Sequence, residues 1–349
     1  MKKKTVFVGL SGGVDSAVSV ALLKKEGYEV VGVFIKTWHP DFLVCNEEEE
    51  RRDAMRVAAH LDIPFLTFDL EDVYKKEVAD YMIREYKAGR TPNPDVMCNK
   101  EVKFGAFLKK AISMGADFVA TGHYAKNTKN FLEKGVDPSK DQSYFLWTLR
   151  QKQLEKIIFP IGNLKKSEVR QLAKKFNLPV AEKKDSQGIC FLGAVDLKEF
   201  LKHYIKEKKG KVLDEAKNMI GYHNGVVFHT LGERHGFTIT KKTPKDGAYY
   251  IVGKDVKKNI LYVSQNAYAE ESNVLHWVEL KDVNWISEIP ESGKNYTAQI
   301  RYHGELLPCK INCSKNQARV FFNKPILVAS GQSCVVYDGD ICLGGGVVV

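Results

Sequence analysis

Ser11-Gly12-Gly13-Val14-Asp15-Ser16 lies between an apolar strand pattern, Thr5 to Leu10, and an amphipathic helix pattern that begins near Ser16. A strand that runs into a glycine turn and then a helix start builds a phosphate cradle. Glycines let the backbone approach an anion, the free N–H groups of the first turn point at it, and the helix dipole favours negative charge there. Ser11 and Ser16 add hydroxyl donors. No Gly-x-x-x-x-Gly-Lys-Ser/Thr accompanies the turn, so the lysine by which ordinary P-loops reach terminal phosphates is absent. The competing reading is a plain glycine turn opening a βα unit, and the coincidence of turn, serines and acid argues against it.

The rest of the first half repeats that strand-then-helix rhythm. Tyr28 to Ile35, Ile63 to Leu70 and Asp117 to Thr121 read as strands, and Glu47 to Leu61, Asp72 to Tyr86 and Asn99 to Met114 as helices. Strands alternating with helices imply a parallel sheet covered on both faces, with ligands bound beyond the carboxyl ends of its strands. Ser11 to Ser16, Ile35 and Gly122 to Tyr124 would then line one crevice. Helical patterns at Ser143 to Leu149, Leu164 to Phe176 and Asp196 to Lys206 extend this α/β domain to residue 206. From 207 to 272 the texture becomes short β runs, Val226 to Leu231, Phe237 to Thr240, Ala248 to Val252 and Ile260 to Val263. From 273 to 349 it is wholly β, and a closed C-terminal β-barrel or a sandwich is expected.

At 349 residues the chain is long enough for two or three domains, each with its own core. Its 44% hydrophobic and 28% charged residues suit a globular protein. No run has the length of a membrane span, and Met1-Lys2-Lys3-Lys4 leads straight into the first strand, so the expected location is cytoplasmic, with no membrane partner. A net charge of +10 fits a phosphate-rich partner, although a lysine-rich solvated surface would read alike. Lysines crowd two stretches: Lys198, Lys202, Lys206, Lys208, Lys209 and Lys211, then Lys241, Lys242 and Lys245. The seven cysteines form no Cys-x-x-Cys pair and no cluster with histidine, so neither a disulfide framework nor a metal site is expected. Cys309 and Cys313 read as packing residues of one strand.

Two cysteines stand in other settings. Thr91-Pro92-Asn93-Pro94-Asp95-Val96-Met97-Cys98-Asn99-Lys100 is a proline-stiffened loop running into a helix. A thiol at a helix N-terminus has a lowered pKa, with Lys100 and Lys103 favouring thiolate further and Asp95 close by. Cys190, in Lys184-Asp185-Ser186-Gln187-Gly188-Ile189-Cys190-Phe191-Leu192-Gly193, follows a glycine turn and by itself reads as a core residue.

In combination these motifs are specific. The glycine turn resembles the pyrophosphate loop of enzymes that split ATP between its α and β phosphates. Its order with Asn-Pro-Asp-x-x-Cys-Asn, Thr-Gly-His-Tyr, Lys-Asp-Gln-Ser and Asp-Ser-x-Gly-Ile-Cys-Phe resembles the tRNA-specific 2-thiouridylases of bacteria and organelles. The likeness runs through both β domains to Gly344-Gly345-Gly346. It implies a doubly wound, adenine nucleotide α-hydrolase-like PP-loop domain, a small β-rich domain and a C-terminal barrel that positions tRNA. It implies ATP, with Mg²⁺, held by Gly9, Leu10, Ser11, Gly12, Gly13, Val14, Asp15, Ser16, the main chain of Ile35 and Gly122. Ile35 stands where relatives often carry methionine, a change that a backbone contact tolerates. It further implies target-base contacts from Asn93, Pro94 and Asp95, a nucleophile at Cys98 and a persulfide at Cys190. His123, Lys140, Asp141, Gln142, Arg301, Tyr302 and Gln332 match positions that contact tRNA. The expected partners are the tRNAs for Lys, Glu and Gln and a protein that donates persulfide sulfur.

The chemistry agrees with that assignment. The C2 oxygen of uracil is a poor leaving group, and adenylylation turns it into a phosphate ester that departs as AMP. Sulfur arrives on one cysteine as a persulfide, and a second cysteine resolves it as a disulfide. Asp95 suits a general acid or base at the base edge, and the wobble base must leave the anticodon stack to arrive there. Whether sulfur passes directly to the base or as hydrogen sulfide stays open. An amide- or ureido-forming ligase would use the same loop but leave both cysteines idle. A noncatalytic RNA-binding protein would leave the loop idle as well.

Overall fold

The computed structural model describes residues 3–43, 46–185, 190, 196–241, 247–266, 275–314 and 317–349. Cys45, Lys242, Lys245, Asn273 and the 186–189 and 191–193 parts of the second cysteine motif lie outside them.

The first sheet takes its strands in the order β3 (Phe65–Asp69), β2 (Glu29–Lys36), β1 (Thr5–Gly9), β4 (Phe118–Ala120) and β7 (Ile157–Ile158), all parallel. Strand order reverses between β1 and β4, and the switch point puts the carboxyl ends of both beside the glycine turn. Two separate cores fill the two faces. Val6, Val8 and Phe34 pack against helices Val14–Lys25, Glu47–His60 and Lys166–Lys175, while Phe7, Val33 and Ile35 pack against the helices between Glu71 and Ser113. The first helix, expected to be amphipathic, is instead buried almost all round, because Lys166–Lys175 lies across its outer side.

The second sheet has the order β10 (Phe237–Ile239), β9 (Met219–His223), β8 (Gly210–Leu213), β12 (Ile260–Ser264) and β11 (Tyr250–Asp255). The expected strand at Val226 to Leu231 is instead a 3₁₀ turn, Val226–Phe228. It follows Gly225, and the Val226 amide donates to Asn259 Oδ1 rather than to a neighbouring strand. The expected helix at Ser143 to Leu149 is likewise a short 3₁₀ turn, Ser143–Leu146.

The last six strands, β13 (Leu275–Trp285), β14 (Asn295–Gln299), β15 (Leu307–Cys313), β16 (Ala318–Ile326), β17 (Ser333–Asp338) and β18 (Ile341–Val348), form an antiparallel barrel closed by β13 against β18. Cys309 is buried in its core and Cys313 half-buried at its edge. The barrel is fused to the first sheet's unit. A hairpin from that unit, β5 (Ala125–Thr128) and β6 (Phe131–Lys134), joins β18, and Val335, Tyr337 and Cys342 pack into its core. Among the described residues no helix is long and apolar enough to cross a membrane.

Candidate active site at the mouth of the parallel sheet

Gly12 has φ +73°, and a Cβ there would stand 2.4 Å from the Glu50 carbonyl oxygen, so the turn itself demands glycine. Gly13 has no such reason. It has an ordinary extended backbone as the helix N-cap, and a Cβ would meet only Ser11 Oγ at 3.5 Å. The missing side chain therefore leaves open space in front of the loop, where an anion would lie. Gly122 seals the other side, since a Cβ there would come within 2.8 Å of the Asp15 carbonyl carbon and the Ser16 nitrogen. The loop hydroxyls satisfy one another: Ser11 N–H donates to Ser16 Oγ, which itself donates to Gly13 O. Asp15 accepts from Tyr124 Oη at 2.8 Å and from Lys166 Nζ at 2.7 and 2.9 Å. Leu10 N–H is taken by Val33 O, and Gly9, Val14 and Ile35 complete the strand and helix ends around the turn.

The proline loop begins its helix earlier than expected. Asn93 is the N-cap, accepting from Val96 N–H, and Pro94 opens the first turn, so Cys98 lies one turn inside. The expected dipole-activated thiol at Cys98 is thus corrected: burial pushes the Cys98 thiol well up, and the neighbouring Cys190 adds to it. From Cys98 to Phe107 the helix widens to i→i+5 hydrogen bonding. Residues five apart are about 140° apart round an α-helix, and the wider winding brings Lys103 towards the face of Cys98.

Cys190 meets this helix from across the sequence, with its sulfur 3.5 Å from that of Cys98. Its main chain is held at both ends. The N–H donates to Asp95 Oδ1 at 2.9 Å, and the carbonyl accepts from the buried Tyr74 hydroxyl at 2.8 Å. The Cys98 S–H, a hydrogen bond from Lys103 and the Lys103 charge pull the Cys190 thiol down against its burial. Burial draws the Lys103 ammonium down, but Cys190, Cys98 and Asp95 outweigh it and hold it above its usual value. Burial raises the Asp95 carboxyl. Lys100 contributes less than expected, because it pairs with Glu101 at 3.0 Å.

The remaining candidates divide. His123 is buried against Phe104 and Phe159, bonded through Nδ1 to Thr121 Oγ1, and burial holds it neutral. Asp141 and Gln142 spend their side chains on the Gly135, Ser143 and Tyr124 amides, while Lys140 reaches Asp185. Arg301 is exposed. Tyr302 packs against Phe145 with the rings tilted by 45° and their centroids 4.3 Å apart, and burial with nearby Asp141 and Asp95 pushes its hydroxyl up to about 12. Gln332 Nε2 donates to Thr91 O at 2.8 Å, docking the barrel beside Asn93. A cavity of about 420 Å³ opens there between Asn93, Met97, Trp147 and the barrel residues Asp282 and Asn284. Of the lysine stretch, Lys198 and Lys202 are paired with glutamates. Among the described residues no group of three or more His, Cys, Asp or Glu side chains could hold a metal ion.

Sequence reasoning missed Tyr74, Lys166, Arg170 and Phe145. Tyr74 lies in no motif, and nothing singles out two cations among 53 lysines and arginines.

Three family models match in succession: a tRNA methyl transferase HUP domain over residues 4–194, a tRNA methyl transferase PRC-barrel domain over 198–265 and an aminomethyltransferase beta-barrel domain over 276–348. The tRNA-specific 2-thiouridylase MnmA of Geobacillus thermodenitrificans is 45% identical over 354 residues, covering 98% of this chain and 94% of the relative. That of Streptococcus thermophilus (strain LMD-9) is 43% identical over 356 residues, covering 99% and 95%. Among solved structures, U34-tRNA thiolase NcsA from Methanococcus maripaludis aligns over 58% of this chain and 67% of its own, at 17% identity and a TM-score of 0.36.

Proposed function

The chain belongs to the tRNA-specific 2-thiouridylase family, a tRNA-uridine 2-sulfurtransferase that makes 2-thiouridine in tRNA, and from that premise we propose how its residues divide the reaction. The observation that carries the proposal is the pairing of Cys98 and Cys190, with Asp95 and Lys103 against it.

ATP supplies the adenylyl group that makes the uracil C2 oxygen a leaving group. The open face of Gly13, the first-turn amides from Val14 to Ser16 and the Ser11 hydroxyl suit its phosphates, with Gly9, Leu10, Gly12, Ile35 and Gly122 shaping the crevice. Asp15 is the carboxylate available to Mg²⁺, in exchange for Lys166. Cys190, the more acidic thiol, takes sulfane sulfur from a donor protein by thiolate attack. The terminal sulfur of that persulfide attacks C2, and AMP departs with the former O2. Cys98 then attacks the Cys190 sulfur, releasing the thiolated base and leaving a Cys98–Cys190 disulfide that external thiol reduces. Asp95, its carboxyl raised by burial, carries the proton at the base edge.

The wobble uridine, in tRNAs for Lys, Glu and Gln, enters beside Asn93 and Pro94, with Arg301, Tyr302, Gln332 and Lys140 on the anticodon arm. Asp141, Gln142 and His123 shape that surface from behind. Residues 1–206 form the catalytic domain, 207–272 the central domain and 273–349 the tRNA-positioning barrel, in a protein that works in the cytoplasm. Methyl transfer, which the family-model descriptions name, would leave the paired thiols without a task.

The test is single-turnover thiolation by persulfide-loaded protein with ATP and tRNA. Stoichiometric 2-thiouridine, AMP and pyrophosphate are expected, with a Cys98–Cys190 disulfide by nonreducing mass mapping. Normal thiolation by Cys190→Ser would sink the assignment.

A further inference from the structure

Lys166 opens the helix Lys166–Lys175, and its Nζ lies within 2.9 Å of two carboxylates at once, Asp15 of the glycine loop and Asp185. Asp185 is crowded in turn. Arg170, one turn further along the same helix, donates to its Oδ1, and Lys140 lies 3.0 Å from its Oδ2. Three cations from two segments thus converge on one carboxylate at the rim of the loop. The side chains of Lys166, Arg170 and Asp185 are 15%, 27% and 33% exposed, so the cluster is sheltered enough for its attraction to survive salt. Partial burial alone would raise the Asp185 carboxyl, but Lys166 and Lys140 hold it well below the usual range. Asp185 and Asp15 together offer two charges to three cations, whereas a pyrophosphate group offers several charges and more acceptor oxygens.

We propose that Lys166 and Arg170 form the binding site for the β and γ phosphates of ATP, and that the Asp185 carboxylate occupies it in the nucleotide-free protein. The assignment rests on the ATP-splitting reading above and deepens it. It supplies the cation that the sequence lacks for want of a P-loop lysine, from a helix start 150 residues further on. Nucleotide entry exchanges ion pairs: the pyrophosphate group displaces Asp185 from Lys166 and Arg170, and Asp15, released by Lys166, would be the carboxylate to hold a metal ion. No covalent bond changes in this step.

Calorimetric titration of the full chain with inorganic pyrophosphate, with AMP and with an anticodon stem-loop RNA free of nucleotide tests it. Lys166→Met is expected to weaken pyrophosphate binding at least about tenfold, the size of a lost charge-assisted contact, and to leave AMP binding unchanged. Asp185→Asn, which keeps the shape and removes the charge, is expected to tighten pyrophosphate severalfold. Asp185→Asn is a cleaner variant than any change of Arg170, which additionally holds the carbonyls of Ala181 and Lys183. Unchanged or weaker pyrophosphate binding by Asp185→Asn overturns the proposal, as does equal loss of AMP and pyrophosphate in Lys166→Met. Loss of RNA binding alone would assign the cluster to a tRNA phosphate and overturn it too. Failure of the wild-type chain to release pyrophosphate from ATP with tRNA present strikes the ATP-splitting reading itself.

Discussion

The Cys98 sulfhydryl donates to the sulfur of Cys190 at 3.5 Å, although the two residues are 92 positions apart. That donation and the Lys103 charge lower the Cys190 thiol while burial raises the Cys98 thiol, so Cys190 is the more acidic of the pair. Cys190 is therefore expected to alkylate with a midpoint below the ordinary thiol value of about 8.5. Cys98→Ala removes the donor and is expected to move that midpoint up by roughly one unit, about 1.4 kcal/mol. Cys98→Ser, which keeps an O–H, restores most of it. Burial holds Cys313 up to about 11 and Cys309 and Cys342 up to about 12, so at pH 7 they stay unlabelled. Peptide mapping after iodoacetamide across pH 6 to 10 gives the profile, and an unmoved midpoint in Cys98→Ala refutes the assignment.

Tyr74 fixes the Cys190 carbonyl from a fully buried position, so Tyr74→Phe deletes one hydrogen bond and little packing. A stability loss of about 1 kcal/mol is expected. The more specific effect is on Cys98–Cys190 disulfide formation by a mild oxidant, expected to slow about tenfold while pyrophosphate release from ATP keeps its rate. Equal slowing of both would mean a merely structural tyrosine.

The two glycines of the loop are expected to separate folding from binding. Gly12→Ala forces a side chain onto a positive φ and against Glu50 O, and costs on the order of 1–3 kcal/mol by thermal melting. Gly13→Val meets only Ser11 Oγ, so the melting temperature holds while ATP affinity is lost. ATP bound normally by a folded Gly13→Val chain would remove the loop from the site.

Deleting the barrel would not isolate its role, because Val335, Tyr337 and Cys342 belong to the first unit's core and Asn284 holds the carbonyls of Trp147 and Leu149. Point substitution is cleaner. Arg301→Ala is expected to weaken tRNA binding and reduce the slope of log affinity against log salt by about one, with ATP affinity unchanged. Filter binding over a salt series measures both, and an unchanged slope would take Arg301 off the RNA surface.

His223 is buried in the second sheet, and desolvation together with His229 lowers its pKa to about 4. The unfolded chain binds this proton near pH 6.5 and the folded chain does not. The stability it contributes is therefore complete above pH 6.5 and is lost as pH falls towards 4, up to about 3 kcal/mol. Melting temperatures from pH 8 to 4 for wild type and His223→Gln check this: the substitution is expected to flatten the acid limb, and parallel curves would count against it.

Local chemistry left its mark on the sequence wherever a short segment acts alone. The strand, Gly12-Gly13 turn and helix of the loop, the β texture after residue 207 and the proline-stiffened approach to Cys98 depend on neighbours in the chain, so pattern and propensity suffice to read them. Tertiary structure decided what depends on distant partners. Cys98 reads as an activated thiol until its burial and the approach of Cys190 reverse the order, because desolvation outweighs a helix dipole once water is excluded. Lys166, Arg170 and Tyr74 carry no sequence signal, since a lysine, an arginine and a tyrosine acquire their roles only from the carboxylates and the carbonyl that folding sets 2.5 to 2.9 Å away. The barrel's union with the first sheet was hidden for the same reason: strand pairing between residues 133 and 341 is a long-range choice that no local pattern encodes.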